Sequence, residues 1–503
     1  MTQVKTSDDW QQINWRKLRQ DLFRLQKRIF KAVQVDDMAK AKRLQKLVMS
    51  SYAARMLAIR QVTQLNKGKK TAGVDGKASL TFEERFQLET ELKANARTWK
   101  HQGLREVPIP KKNGTTRMLK IPTIADRAWQ CLVKFALEPA HEATFHERSY
   151  GFRPGRSAHD AQKIIFLNLR SYSNGINKRI LELDIEKCFD RISHKSILTR
   201  VIAPEFIKTG LRNCLKAGIN PEFPEQGTPQ GGVVSPLLAN IALNGIETIG
   251  QSVRYADDMV FFLKPGEDEN ILLEKVSKFL AERGTNASEK KTKVTATTDG
   301  FDFLGWRFCV QGKNGKFRSV PSEDNFKAFR EKVKFIVNNS NYGAQVKAEK
   351  LASIVRGWRN YHKYCQMEGS KYSLWSMNHR AFQVFLKQKT VDKHEAERLI
   401  KKAFPRVGYS ENKFVNVKGN KSPYDNDLIY WSNRNSALYD NTTAKTLKKQ
   451  KHSCAHCGLK LTSDETVHLH HVDGNHGNSK PQNLIAVHQS CHQLIHMSKA
   501  EKA

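Results

Sequence analysis

Ser252-Val253-Arg254-Tyr255-Ala256-Asp257-Asp258-Met259-Val260-Phe261-Phe262-Leu263 sets an acidic pair between two short apolar runs. The pattern reads as a β-hairpin with both carboxylates at its tip. Adjacent like charges repel, so the pair is costly unless a cation sits on it, and hard Mg²⁺ prefers carboxylate oxygen. Two metals held in this way stabilise the attacking and leaving oxygens of an in-line phosphoryl displacement, as in polymerases and nucleases. A solvated acidic turn would carry the same dipeptide, so the surrounding sequence has to decide.

Upstream, Ile180-Leu181-Glu182-Leu183-Asp184-Ile185-Glu186-Lys187-Cys188-Phe189-Asp190 alternates apolar and polar residues and ends a strand at Asp184, where that carboxylate can meet the hairpin. Between them, Gln226-Gly227-Thr228-Pro229-Gln230-Gly231-Gly232-Val233-Val234-Ser235-Pro236 has glycines that allow close backbone approach to a ligand, and its apolar continuation predicts a helix. Residues 10–65 read as basic helix, with Leu18, Leu22, Leu25 and Ile29 on one stripe. Strands and helices alternate from Gly68 to about Gly312, and helix returns over 322–400. The resulting division is a helical extension (1–66), an α/β catalytic domain (67–320), a helical domain (321–404), a linker or DNA-binding segment (405–450) and a Cys/His module (451–503).

Lys and Arg total 85 against 50 Asp and Glu, a net charge of +35 over 503 residues. A surplus of that size self-repels unless a polyanion neutralises it, so nucleic acid is the expected partner. The N-terminus has no apolar signal core, and no run approaches the roughly 18 apolar residues of a membrane helix. No membrane partner is therefore expected, and an intracellular site is. Cys131, Cys188, Cys214, Cys309 and Cys365 are scattered and read as reduced thiols, whereas Cys454, Cys457 and Cys491 cluster as metal ligands do.

The order of motifs resembles reverse transcriptases, most closely group II intron-encoded reverse transcriptase/maturases. The resemblance runs through Gly73-Val74-Asp75-Gly76, Val107-Pro108-Ile109-Pro110-Lys111, Arg117-Met118-Leu119-Lys120-Ile121-Pro122-Thr123, Tyr150-Gly151-Phe152-Arg153-Pro154-Gly155-Arg156-Ser157 and Phe301-Asp302-Phe303-Leu304-Gly305-Trp306. It implies a multidomain α/β and α fold: right-hand fingers and palm, then a helical thumb, called domain X. It implies that Asp184, Asp257 and Asp258 hold two Mg²⁺ ions and that Phe189 excludes a ribose 2′-OH, although Phe189 also suits a core position. Lys111 (or Lys112) and Arg117 would neutralise the incoming dNTP triphosphate, and Gln230 and Gly231 would line its pocket, with Tyr255 a further site residue beside the acidic pair. Arg153 and Arg156 would contact template backbone. Arg356, Trp358 and Tyr361 suit phosphate contact and base stacking, or inward packing.

At the C-terminus, Cys454-x-x-Cys457 is followed by His488-x-x-Cys491, a pattern whose thiolates and imidazole suit structural Zn²⁺. The module resembles HNH endonucleases of the ββα-metal type. That implies one divalent ion on His470, His492 and His496, His471 as general base, and Asn483 fixing the loop beside it. His488 stands where many members carry a cysteine, so either it completes a Cys₃His site or that corner is weakened. The resemblance as a whole implies an enzyme with reverse transcriptase, splicing maturase and DNA endonuclease activities in intron retrohoming. It would work in a bacterial cytoplasm or an organelle, bound to intron RNA and a DNA target. The competing readings are a splicing-only RNA-binding maturase and a host-recruited reverse transcriptase.

Overall fold

The computed structural model describes residues 7–110, 116–218, 222–367, 371–475 and 478–500. Its centre is an antiparallel sheet of four strands in the order β4 (Ser252–Tyr255), β5 (Asp258–Leu263), β3 (Arg179–Leu183), β6 (Lys293–Ala296). Side chains alternate across a strand. In β5, Met259, Phe261 and Leu263 enter one core with Leu181 and Leu183, while Val260 and Phe262 enter another with Ile180. Both faces are covered, which is why β5 is a continuous apolar run.

The first face is covered by the helices Trp15–Gln34, Met38–Ser50, Tyr52–Arg60, Ile124–Glu142 and Ser235–Leu243, whose Ile29, Val48, Ile59, Leu132 and Leu238 share one core. Asn14, Asp37 and Ser51 cap the first three by accepting from Lys17, Lys40 and Ala54 backbone N–H groups. The N-terminal helices are thus built into the catalytic body. The hairpin of β1 (Arg105–Pro110) and β2 (Thr116–Ile121) stands apart, with mostly exposed side chains in β1.

The opposite face carries the sheet β7 (Phe301–Phe303), β8 (Trp306–Val310), β9 (Phe317–Pro321) and the helices Glu323–Asn338, Ala344–Tyr361, Trp375–Leu386 and Lys393–Ala403. The 405–450 stretch, read as a linker or DNA-binding segment, includes the helices Leu428–Leu438 and Asn441–Lys449. It folds back on the body: the Tyr424 ring lies 5.8 Å from that of Phe23, its hydroxyl donates to Glu138 at 3.1 Å, and Trp431 is buried. The chain ends in the antiparallel pair β10 (Val467–His471) and β11 (Leu484–His488), followed by the helix Gln489–Ala500. Among the described residues no helix is long and apolar enough to cross a membrane.

Candidate functional site

β4 and β5 pair with Tyr255 opposite Asp258, leaving Ala256-Asp257 as a two-residue turn with Ala256 at φ 60°. A left-handed alanine is strained and persists only where its surroundings fix it. Two devices do so. Gly151 lies against the turn, where a Cβ would come 2.4 Å from the Ala256 nitrogen. Arg254, fully buried, donates from Nη1 to the Ala256 carbonyl and Asn240 Oδ1 (both 2.9 Å), from Nη2 to Ser149 Oγ (2.8 Å) and from Nε to Glu247 Oε1 (2.6 Å). Removing one partner of a buried ion pair costs about 3–5 kcal/mol, so this network holds the turn firmly. The short connection 241–254 suffices because a 3-10 turn, Ile246–Thr248, joins the helix to β4 and delivers Glu247 to Arg254.

β3 pairs with β5 so that Leu183 faces Met259, which brings Asp184 to the level of Asp258 at the sheet edge. Lys291 Nζ bridges both Asp184 carboxylate oxygens at 3.1 and 3.3 Å. Partial withdrawal from water, then the Asp257 and Asp184 carboxylates, push the Asp258 carboxyl up to about 6. The carboxylate oxygens of Asp184, Asp257 and Asp258 do not gather within 4.8 Å of one another as the two C-terminal clusters do, and Lys291 stands against Asp184; the chemistry of an all-oxygen set, rather than its spacing here, suits a hard divalent cation.

The shift has a testable sign. A carboxyl with a raised folded pKa is protonated as pH falls through 6, and metal ligation requires the ionised form. The Mn²⁺ affinity of the palm, measured by titration, is expected to weaken as pH is lowered from 7 to 5.5. Asp258→Asn should flatten that dependence; an unchanged slope in the variant would contradict the assignment.

Phe189 is half-buried in the short helix Cys188–Arg191, packed against the first core, and its carbonyl accepts from Thr228 N at 2.6 Å. Gln230 Nε2 donates to Asp190 Oδ1 (3.1 Å) and its carbonyl accepts from Lys120 N (2.8 Å), so the glycine loop bridges the Phe189 turn and β2. Gly231 has φ 130°, and a Cβ there would come 2.7 Å from the Lys120 carbonyl. Phe189, Gln230 and Gly231 are thereby tied into one cluster between the Phe189 turn and β2. Lys111 and Lys112 lie outside the described residues; Arg117 lies in β2 opposite Ile109, and its side chain also falls outside them.

The template-contact reading of Arg153 and Arg156 does not hold, and of the two readings open for Trp358 and Tyr361 the inward one is seen. Arg153 is buried on Glu142 (2.9 and 3.0 Å), and Arg156 bonds the carbonyls of Glu147 and Gly419, so both guanidiniums are spent within the protein. Trp358 stacks on Phe329 at 4.5 Å and donates to Asn325, and Tyr361 stacks on Trp306 and donates to the Leu304 carbonyl. These aromatics pack inward. Arg356, two residues before Trp358 and so about half a turn round the helix on the other face, is exposed.

In the C-terminal module, one ligand atom from each of Cys454, Cys457, His488 and Cys491 lies within 4.8 Å of the others, and all four side chains are buried. His488 Nδ1 is 3.4 Å from Cys457 Sγ. Three sulfurs and an imidazole nitrogen in that space fit tetrahedral zinc. His470, His492 and His496 form a second cluster, likewise within 4.8 Å, with His492 and His496 one turn apart on one helix. An all-imidazole set suits a transition metal better than Mg²⁺. His471 follows in β10 opposite Leu484, and Asn483 accepts from Asp473 N (2.9 Å) and donates to Asp473 Oδ1 (2.9 Å) and the Asn478 carbonyl (2.8 Å).

Arg254, Glu247 and Lys291 were not singled out in the sequence. A charged residue inside the apolar β4 is the signal that would have marked Arg254.

Residues 109–308 match the family Reverse transcriptase (RNA-dependent DNA polymerase), residues 10–92 the N-terminal domain of reverse transcriptase, and residues 326–404 the Group II intron, maturase-specific domain. The chain is 41% identical over 397 residues to Maturase-like protein 1 of Euglena gracilis, covering 78% of this chain and 86% of that one. Maturase-like protein 1 of Euglena longa is 35% identical over 452 residues, 89% of this chain and 97% of that one. Group II intron-encoded protein LtrA of Lactococcus lactis subsp. cremoris is 36% identical over 191 residues, 36% of this chain and 31% of its own length.

Proposed function

The chain belongs to the group II intron reverse transcriptase/maturase family, and from that premise we propose that it is a working RNA-directed DNA polymerase, splicing maturase and DNA endonuclease. The observation that carries the polymerase reading is the β3–β5 register that sets Asp184 level with Asp258, whose carboxyl feels the charges of Asp257 and Asp184. Mg²⁺ bound there supplies Lewis-acid activation of the primer 3′-OH and neutralises charge on the triphosphate. The protein's part is orientation. Arg254 fixes the turn that aims Asp257 and Asp258, and the glycine loop admits the nucleotide closely. The Phe189 ring excludes a ribose hydroxyl, while Lys111 and Arg117 meet the triphosphate.

The maturase role rests on binding the intron RNA across a +35 chain, with exposed cations such as Arg356 on the thumb meeting phosphate. The endonuclease role rests on the ββα geometry, the three-imidazole cluster and the loop staple at Asn483. Together these activities would serve retrohoming into a DNA target, in a bacterial cytoplasm or an organelle, as a ribonucleoprotein.

The steric-gate role gives the sharpest test of the polymerase assignment. Phe189→Val is expected to raise rNTP relative to dNTP incorporation at least about tenfold, since relief of a single clash of about 1.4 kcal/mol gives that factor. The measurement is the ratio of kcat/KM values on one primer–template. An unchanged ratio would return Phe189 to a packing role.

A further inference from the structure

We propose that the C-terminal module is docked on the N-terminal helix through its own zinc site, by a relay from His488 through Asp464 to Arg19. The inference rests on reading Cys454, Cys457, His488 and Cys491 as a zinc site, and it assigns tasks to Asp464 and Arg19 that the proposed activities do not require.

The relay runs through ion-pair contacts. With His488 Nδ1 turned to the cysteine cluster, its Nε2 lies 3.4 Å from Asp464 Oδ1, within ion-pair distance but without a hydrogen bond. Asp464 Oδ2 lies 3.6 Å from Arg19 Nη2, which also pairs with Glu465. Arg19 Nη1 donates to Ser490 Oγ (2.9 Å) and to Cys491 Sγ (3.3 Å), a second metal-facing atom. Glu465 in turn accepts from Ser490 N (2.7 Å), the first turn of the helix that carries Cys491, His492 and His496. The N-terminal helix Trp15–Gln34 that carries Arg19 adds Gln20, whose Nε2 donates to the Cys457 carbonyl at 3.4 Å.

The chemistry explains why a histidine stands at position 488. A cysteine there could ligate metal, but it would have no second polar atom to pass the contact on. An imidazole has one: with Nδ1 toward the cysteine cluster, Nε2 stands 3.4 Å from a carboxylate that would orient the ring and strengthen the ligand once a metal is bound. That carboxylate is shared with Arg19, which sits far away in sequence. Metal retention and docking are then linked, and each must strengthen the other by the same factor.

The test uses the full-length chain loaded with Zn²⁺ and follows zinc transfer to a chromogenic chelator. Arg19→Gln and Asp464→Asn are each expected to release zinc about tenfold faster, the lower end for loss of an outer-shell partner. His488→Cys is expected to keep one zinc per chain and to make the release rate insensitive to Asp464→Asn. Primer extension and the melting of the polymerase body report that the variants are folded, with Arg19→Lys as the milder substitution. Release rates that ignore both Arg19→Gln and Asp464→Asn in a zinc-loaded chain would overturn the coupling alone, as would an Asp464→Asn effect that persists beside His488→Cys. A wild-type chain that neither contains nor takes up stoichiometric zinc would overturn the zinc reading beneath it.

Discussion

Asp257→Ala is expected to reduce primer extension by on the order of a thousandfold or more while leaving RNA affinity within about twofold of wild type. A metal clamp on a phosphoryl group supplies several kcal/mol of transition-state stabilisation, and each 1.36 kcal/mol is a factor of ten. Asp257 sits in a two-residue turn whose backbone Arg254 and Gly151 hold in place, so a side chain lost there removes a ligand without releasing the hairpin. RNA affinity rests on many of the 85 Lys and Arg side chains, so one carboxylate matters little to it. The check is extension rate beside filter binding on one preparation. Parallel loss of both in folded protein would show that the turn does not separate chemistry from binding.

His471→Ala is the second large effect: nicking of duplex DNA is expected to fall by about 10²–10⁴, the range general-base catalysis contributes, with zinc content and primer extension retained. The imidazole is assigned no metal and stands beside His470 in β10, whose loop to β11 is stapled by Asn483 and Asp473. Cys457→Ala should behave differently. Cys457 is buried among the other three ligands, and its loss should remove zinc and nicking together, because a knuckle's metal free energy is its folding free energy. Metal analysis and plasmid nicking on both variants separate the two. A His471→Ala protein that nicks at the wild-type rate would make the module a binding finger.

The groups proposed as metal ligands are legible because their signals are local. The apolar runs around Asp257-Asp258 and the alternation ending at Asp184 each follow from a few neighbouring residues, and the strand pairing that brings them together follows from the same runs. The spacing of Cys454, Cys457, His488 and Cys491 is local in the same way. What the sequence hid depends on distant partners. Arg153 and Arg156 look like template-binding cations until Glu142 and the Gly419 carbonyl are placed beside them. Trp358 and Tyr361 lie in a helix that also carries Arg356 and Arg359. Only the positions of Phe329 and Trp306 show that the rings face inward. The polar 405–450 stretch gives no sign that Tyr424 and Trp431 fasten it to the body, because three buried aromatics (with Phe414) spread over a long polar segment do not make a periodic pattern.

The central claim is that the palm carboxylates and the glycine loop make a working RNA-directed polymerase site. Its most direct test is extension of a DNA primer annealed to an RNA template by the purified wild-type chain, with Mg²⁺ and all four dNTPs. The predicted result is cDNA reaching the template's 5′ end, abolished by chelating the metal. A folded chain that binds the primer–template in Mg²⁺ yet adds no nucleotide would contradict the account.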